Sequence, residues 1–206
     1  TPVSVLVRML LRWAGSDASR RVAIRPPPRG SPEDRHLPTI SDTIGRADRG
    51  GHRHVKVAIV LNGRAGAARR RMTPSQVDVF ARETLARLGA DPLILLTEGP
   101  GHARDLARQA VDDGADVVCA WGGDGTVNEV ASGLVYGRGV MAVVPAGSGN
   151  GFARDLGIPL DKEGALAVAV AGATRMVDVG EVNGRLFVNT AGFGLDASVA
   201  HAFALR

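Results

Sequence analysis

Two stretches of this 206-residue sequence hold residue types able to grip a phosphate. The first is Trp121-Gly122-Gly123-Asp124-Gly125-Thr126-Val127-Asn128-Glu129. Its three glycines let the backbone approach a ligand closely and turn N–H groups toward it. Thr126 opens a helical pattern, whose first N–H groups and dipole favour an anion. Asp124 adds a carboxylate that could hold Mg2+ or orient a hydroxyl attacking a phosphate. Thr126 and Glu129 also stand at capping-box spacing, which explains those two residues without a ligand but not Gly-Gly-Asp-Gly. The second stretch is Pro145-Ala146-Gly147-Ser148-Gly149-Asn150-Gly151, again between a strand-like run and a short helix. It lacks the spacing of the dinucleotide fingerprint, and no Gly-x-x-x-x-Gly-Lys-Ser/Thr loop occurs anywhere.

Other chemistries find less footing. There is no Gly-x-Ser-x-Gly nucleophile elbow. The five histidines (His36, His52, His54, His102, His201) show no metal spacing, and only His102 falls near a candidate site, where a surface role is the default. The single cysteine, Cys119, excludes an intramolecular disulfide and a cysteine-based zinc site, and its apolar surroundings make it a small buried hydrophobe.

The elements that must position the loops read as alternating strands and helices. Residues 55–61, 92–97, 116–121 and 140–144 are short apolar runs, as strands buried on both faces should be. Helical spacing covers 74–88, 101–113, 126–136, 151–156 and 162–171. Repeated units of this kind predict an α/β fold, a mostly parallel sheet with helices on both faces. Ligands of such sheets bind at the carboxyl ends of strands. Asn62 and Thr97 close the first two strands; Asn62 is either a turn residue or a ligand, and Thr97 either a helix cap or a ligand. Arg69, Arg70 and Arg71 follow in a loop that is solvated by default, with contact to a phosphate or lipid headgroup as the sharper option. Residues 174–182 and 185–190 then flank Asn183-Gly184, a strong hairpin signal.

Charge and composition divide the chain into three parts. Residues 1–54 carry ten arginines against five acids and six of the eleven prolines, which predicts a disordered, basic, Pro/Arg-rich extension. Within it, the apolar stretch 3–14 is broken by Arg8 and Arg12; it makes a poor secretory segment, and a short amphipathic helix on an anionic membrane is the alternative. Residues 55–206 carry 15 basic and 16 acidic side chains, so the body has no basic field arguing for nucleic acid. Residues 55–172 form the predicted nucleotide-binding domain. Residues 173–206 read as the truncated start of a second, β-rich domain, too short to bury its own core. Aromatics are only 4%, so Ala, Val and Leu must fill the core. No run reaches the roughly 18 apolar residues of a membrane span.

The ordered pair Gly122-Gly123-Asp124-Gly125-Thr126-Val127-Asn128-Glu129-Val130 and Pro145-Ala146-Gly147-Ser148-Gly149-Asn150-Gly151-Phe152-Ala153-Arg154 resembles the catalytic domain of the diacylglycerol kinase and sphingosine kinase family, nearest to the soluble bacterial lipid kinases. The resemblance implies a sheet domain like that of NAD kinases and phosphofructokinases, joined to a β-sandwich. It implies transfer of the γ-phosphate of ATP, with Mg2+, to the hydroxyl of a lipid such as diacylglycerol. Cofactor-binding residues would be Asn62, Thr97, Gly122, Gly123, Asp124, Gly125, Thr126, Asn128, Glu129, Gly147, Ser148, Gly149 and Asn150, with Asp124 also catalytic and on the metal. The family's general base and the rest of its magnesium carboxylates are expected in a C-terminal part missing here. The first-strand motif, Asn62-Gly63-Arg64-Ala65-Gly66, lacks the proline common after the asparagine. Expected partners are a lipid at a membrane surface and, as an open option, a second copy in a homodimer, with no nucleic acid. The expected location is cytoplasmic with peripheral membrane contact. The alternatives are a nucleotide-binding fragment without catalysis, or a sphingoid-base or NAD kinase.

Overall fold

The computed structural model describes residues 6–13, 54–63, 72–171, 173–182 and 184–188. Its strands are β1 (Leu6–Trp13), β2 (Val55–Leu61), β3 (Ala90–Leu96), β4 (Val117–Gly122), β5 (Val140–Pro145), β6 (Ala173–Val182) and β7 (Arg185–Phe187). Its helices are α1 (Pro74–Arg87), α2 (His102–Asp112), α3 (Asp124–Leu134), α4 (Gly151–Asp155) and α5 (Lys162–Ala171). The strands form one sheet in the order β3-β2-β4-β5-β1-β6-β7. The first five in that order are parallel; β6 runs antiparallel to β1, and β7 to β6. Helices α1 and α5 pack together on one face, and α2 and α3 on the other.

The apolar runs earn their positions by burial. In register across the centre, Ile59 pairs with Cys119 and Cys119 with Ala142, all of them buried. Strands covered by helices on both sides have no solvent face, so they need no polar alternation. Strand β3 differs from the expectation of a buried strand. It starts at Ala90, lies at the sheet edge and leaves Leu93 and Leu96 exposed. An edge is where Pro92 can sit in a strand, because its missing N–H costs no ladder bond on the open side. Helix α1 opens on a capping box: Thr73 Oγ1 accepts from the Gln76 N–H and Gln76 Oε1 from the Thr73 N–H.

Two expectations about the ends of the chain are corrected. Within the predicted disordered extension 1–54, residues 6–13 are a strand inserted between β5 and β6. The arginines hid the pattern: Arg8 and Arg12 sit at even positions, while Met9 and Leu11 sit at odd ones, the period of a strand. Met9 and Leu11 are buried, and α5 packs on this strand. Nor do the described residues of 173–206 leave for a separate domain. Strands β6 and β7 extend the first sheet, with Gly180 opposite Phe187. Gly184 takes φ 73°, as the predicted hairpin turn requires; Asn183 lies outside the described residues. So do Arg69, Arg70 and Arg71, and residues 189 and 190 of the expected second hairpin strand.

At the sheet centre, burial pushes the Cys119 thiol up to about 12, which keeps it protonated. Iodoacetamide at neutral pH should therefore leave Cys119 unlabelled in the native chain and label it on unfolding, which mass spectrometry reads directly. Leu11 is fully buried, so Leu11→Ala should lower stability by about 2–4 kcal/mol in thermal or urea unfolding, the cost of removing buried methyl groups and leaving a cavity. An unchanged melting temperature would mean that β1 contributes nothing to the core.

Candidate functional site

The parallel strands bring four loops to one edge. Asn62 follows β2, Thr97 follows β3, Gly123 follows β4 and Ala146 follows β5. Hydrogen bonds continue the ladder past the strand ends: the Thr97 N–H donates to Leu61 C=O (2.9 Å), the Asn62 N–H to Trp121 C=O (3.2 Å) and the Ala146 N–H to Gly122 C=O (2.9 Å). The chain reverses direction across the sheet between β2 and β4, so this edge lies at the topological switch point where open α/β sheets bind ligands.

The two glycine-rich loops touch backbone to backbone. A Cβ built on Gly147 would lie 2.5 Å from Gly123 Cα and 3.0 Å from Asn150 Oδ1. Glycine is required there by space, since no side chain fits between the loops. Asn150 shapes the second loop from within: the Gly147 N–H donates to its Oδ1 (2.8 Å), and its Nδ2 donates to Gly147 C=O (3.0 Å). Below the first loop, Thr126 is buried and its side chain fills the space beside Gly122. Asn62 Nδ2 donates to Thr126 Oγ1 (3.2 Å), tying the end of β2 to this loop.

The capping expectation for this loop is corrected. Helix α3 begins at Asp124 with Gly123 as N-cap, so Thr126 lies inside its first turn and caps nothing. Glu129 reaches sideways instead, where its Oε2 accepts from the Ala103 N–H at the start of α2 (3.2 Å). Asp124 does the same for α4: its Oδ1 accepts from the Phe152 N–H (3.2 Å). A carboxylate at a helix start meets unsatisfied N–H groups and the positive end of the dipole. Thr97 is likewise not the cap of α2; that residue is Gly101, with no side-chain cap. His102 Nδ1 accepts from the Glu98 N–H (3.0 Å) and so folds the loop between them.

Two cavities flank the Gly123–Gly147 contact. One, of about 340 Å³, is lined by Asn62, Thr97, Gly123, Gly125, Thr126 and Glu129, together with Gly99, Pro100 and Ala103. The other, of about 380 Å³, takes Asn62, Gly147, Ser148 and Asn150 on one side and Met72, Trp121, Leu160 and Lys162 among its other walls. Asn62 borders both. Gly122 is buried beneath the ridge, Gly149 lies beside the Asp124 carboxylate, and Asp124 itself is exposed and lines neither cavity. Asn128 also lines neither, being turned away to β7. Sequence reasoning missed Trp121 and Lys162 as walls. Trp121 had a signal, since it is the last large residue before the first glycine loop; it is held by an edge-on contact with Phe80 at 6.3 Å between ring centroids. Lys162 comes from another helix and had none.

An α/β domain with paired glycine loops on the carboxyl edge of its sheet is the class that fold and site define. Residues 56–182 match the diacylglycerol kinase catalytic domain, and the chain belongs to that family. It is 41% identical over 144 residues to the Pseudomonas aeruginosa (strain PAO1) protein named "Probable lipid kinase YegS-like", covering 68% of this chain and 45% of that one. It is 39% identical over 132 residues to a diacylglycerol kinase of Staphylococcus aureus (strain JH9), covering 60% and 42%. The crystal structure of a diacylglycerol kinase from Bacillus anthracis str. Sterne aligns with a TM-score of 0.59 at 30% identity, covering 71% of this chain and 50% of that one. The chain thus spans about half the length of the relatives it matches.

The ridge predicts opposite outcomes for two glycines. Gly147→Ala must push the loops apart and should cost about 1–3 kcal/mol, as overpacking does. Gly125→Ala, inside α3 with open space at its Cβ position, should stabilise by about 0.5–1 kcal/mol through helix propensity. Thermal unfolding of both variants tests the pair.

Proposed function

We propose that this chain carries the nucleotide-binding part of a kinase that moves the γ-phosphate of ATP to the hydroxyl of a lipid such as diacylglycerol. The observation that carries the reading is the contact of Gly123 with Gly147 on the carboxyl edge of the sheet. A ridge of bare backbone can offer N–H groups to phosphate oxygens with no side chain in the way. Family membership and the names of the relatives support kinase chemistry. In this reading Thr97 and Glu129 wall the nucleoside side of the ridge. Gly123, Gly125, Gly147 and Ser148 hold the phosphates, and Asn62 ties the two sides together.

Mg2+ fits the residues present in a limited way. Among the described residues no group of three or more His, Cys, Asp or Glu could hold a metal. A magnesium ion carried by phosphates needs only one or two protein carboxylates, and Asp124 supplies one beside the ridge. When bound, the ion neutralises charge on the phosphates. The lipid acceptor would meet the site at a membrane surface, with the protein in the cytoplasm; no described helix is long and apolar enough to cross a membrane.

Titration calorimetry with ATP tests the reading. Weak but saturable binding is expected, with a Kd of about 0.1–1 mM, and Mg2+ should tighten it. Asp124→Asn keeps an acceptor for the Phe152 N–H, so the fold should survive while the Mg2+ effect disappears. No ATP binding by the unmodified chain would overturn the proposal. ATP binding with no phosphate transfer to diacylglycerol in vesicles would leave only the nucleotide-binding alternative.

A further inference from the structure

Asn128 stands within the first glycine-loop motif, yet its side chain leaves the cavities and meets β7. Its Nδ2 donates to Leu186 C=O (3.1 Å), and its Oδ1 accepts from the Val188 N–H (3.2 Å). A carbonyl and an N–H flanking one residue, here Phe187, are the pair that a neighbouring parallel strand uses. The side-chain amide of Asn128 therefore stands in for the N–H and C=O of one residue of a further strand on β7. Among the described residues β7 is the last strand on that side of the sheet, and a strand edge leaves backbone donors and acceptors in need of partners. An asparagine meets the requirement because one planar amide carries both a donor and an acceptor.

The attachment point matters because of what else hangs on α3. Asp124, one turn earlier, bonds the start of α4, and Glu129, the next residue, bonds the start of α2. Three elements are thus fastened by side chains to the first two turns of the helix that carries the glycine loop. From the inner side, Phe187 lies over Gly180, so the hairpin is packed as well as hydrogen-bonded.

We infer that Asn128 is a positioning residue and not a nucleotide ligand: it fixes the β6–β7 hairpin to α3 and thereby holds the Gly123–Gly125 loop in place. The tie to β7 stands on the two bonds alone. Its bearing on nucleotide binding rests on the kinase reading.

The test compares the 206-residue chain with its Asn128→Ala and Asn128→Asp variants by residue-resolved amide exchange, amide chemical shifts and ATP titration. In Asn128→Ala the Val188 amide should exchange about tenfold faster or more, because its local protection rests on these bonds. The Gly123 and Gly125 amide signals should shift with it, and the ATP Kd should weaken by about threefold to tenfold as the displaced loop holds phosphate less well. Asn128→Asp keeps the acceptor for Val188 and loses the donor to Leu186, so its exchange should fall between the two. That variant decides the matter if the alanine variant fails to fold. Unchanged Val188 exchange overturns the tie, and a change at Val188 with still signals at Gly123 and Gly125 reduces it to a local fastening without positioning. A weakened ATP Kd with unshifted Gly123 and Gly125 signals makes Asn128 a ligand. If the parent binds no ATP, the kinase reading fails, while the exchange and chemical-shift readings still decide the positioning role.

Discussion

The contact between Gly123 and Gly147 is the constraint on which the rest of this molecule depends. Two loops from adjacent parallel strands can meet only if those strands end in register, and Gly122 lies opposite Pro145 in the ladder. They can meet this closely only if Gly147 carries no Cβ, and a Cβ on Gly123 would press within 3.2 Å of Gly147 Cα. The first loop must then be supported from below, which the inward-turned Thr126 does through its packing on Gly122 and its bond from Asn62. The second must hold its own shape, which Asn150 does by bonding both backbone groups of Gly147. Each surrounding residue type follows from a backbone ridge that must stay bare and stay put.

Helix α3 carries that ridge and ties it to its neighbours with polar side chains. Asp124, Asn128 and Glu129 each bond backbone groups of a different element. These bonds meet N–H groups at helix starts and at a strand edge, where regular structure leaves donors unmatched. A polar residue in a glycine-loop motif can thus serve the scaffold. Asp124 combines that service with an exposed carboxylate beside the ridge. Asn128 serves only the scaffold among its described contacts.

The sheet joins parts of the chain that composition had separated. Strand β1 comes from an arginine- and proline-rich beginning and pairs with β6 over its whole length. It thereby connects the hairpin to the parallel strands, and α5 covers it. Membership of the diacylglycerol kinase catalytic domain family covers residues 56–182, so β1 lies outside the matched segment while lying inside the sheet.

Local patterns alone determined the alternation of strands and helices from Val55 onward, because apolar runs of strand length and helical spacing are written into neighbouring residues. They also determined that two glycine-rich loops share one edge, since parallel strands must send their carboxyl ends the same way. The hairpin turn at Gly184 was legible for the same local reason. Only the tertiary structure decided the rest. Leu93 and Leu96 are exposed because β3 is an edge strand, a fact about sheet order that no single strand contains. Residues 6–13 became a strand because a slot between β5 and β6 rewards the alternation of Met9 and Leu11, which isolated composition reads as disorder. Thr126 and Glu129 matched a capping box by spacing, yet α3 starts two residues earlier and Glu129 finds its N–H on α2, 26 residues away along the chain. Spacing along a chain limits which groups can meet within one element. Which of them meet across elements depends on where packing brings the partner, and that is set by the whole sheet.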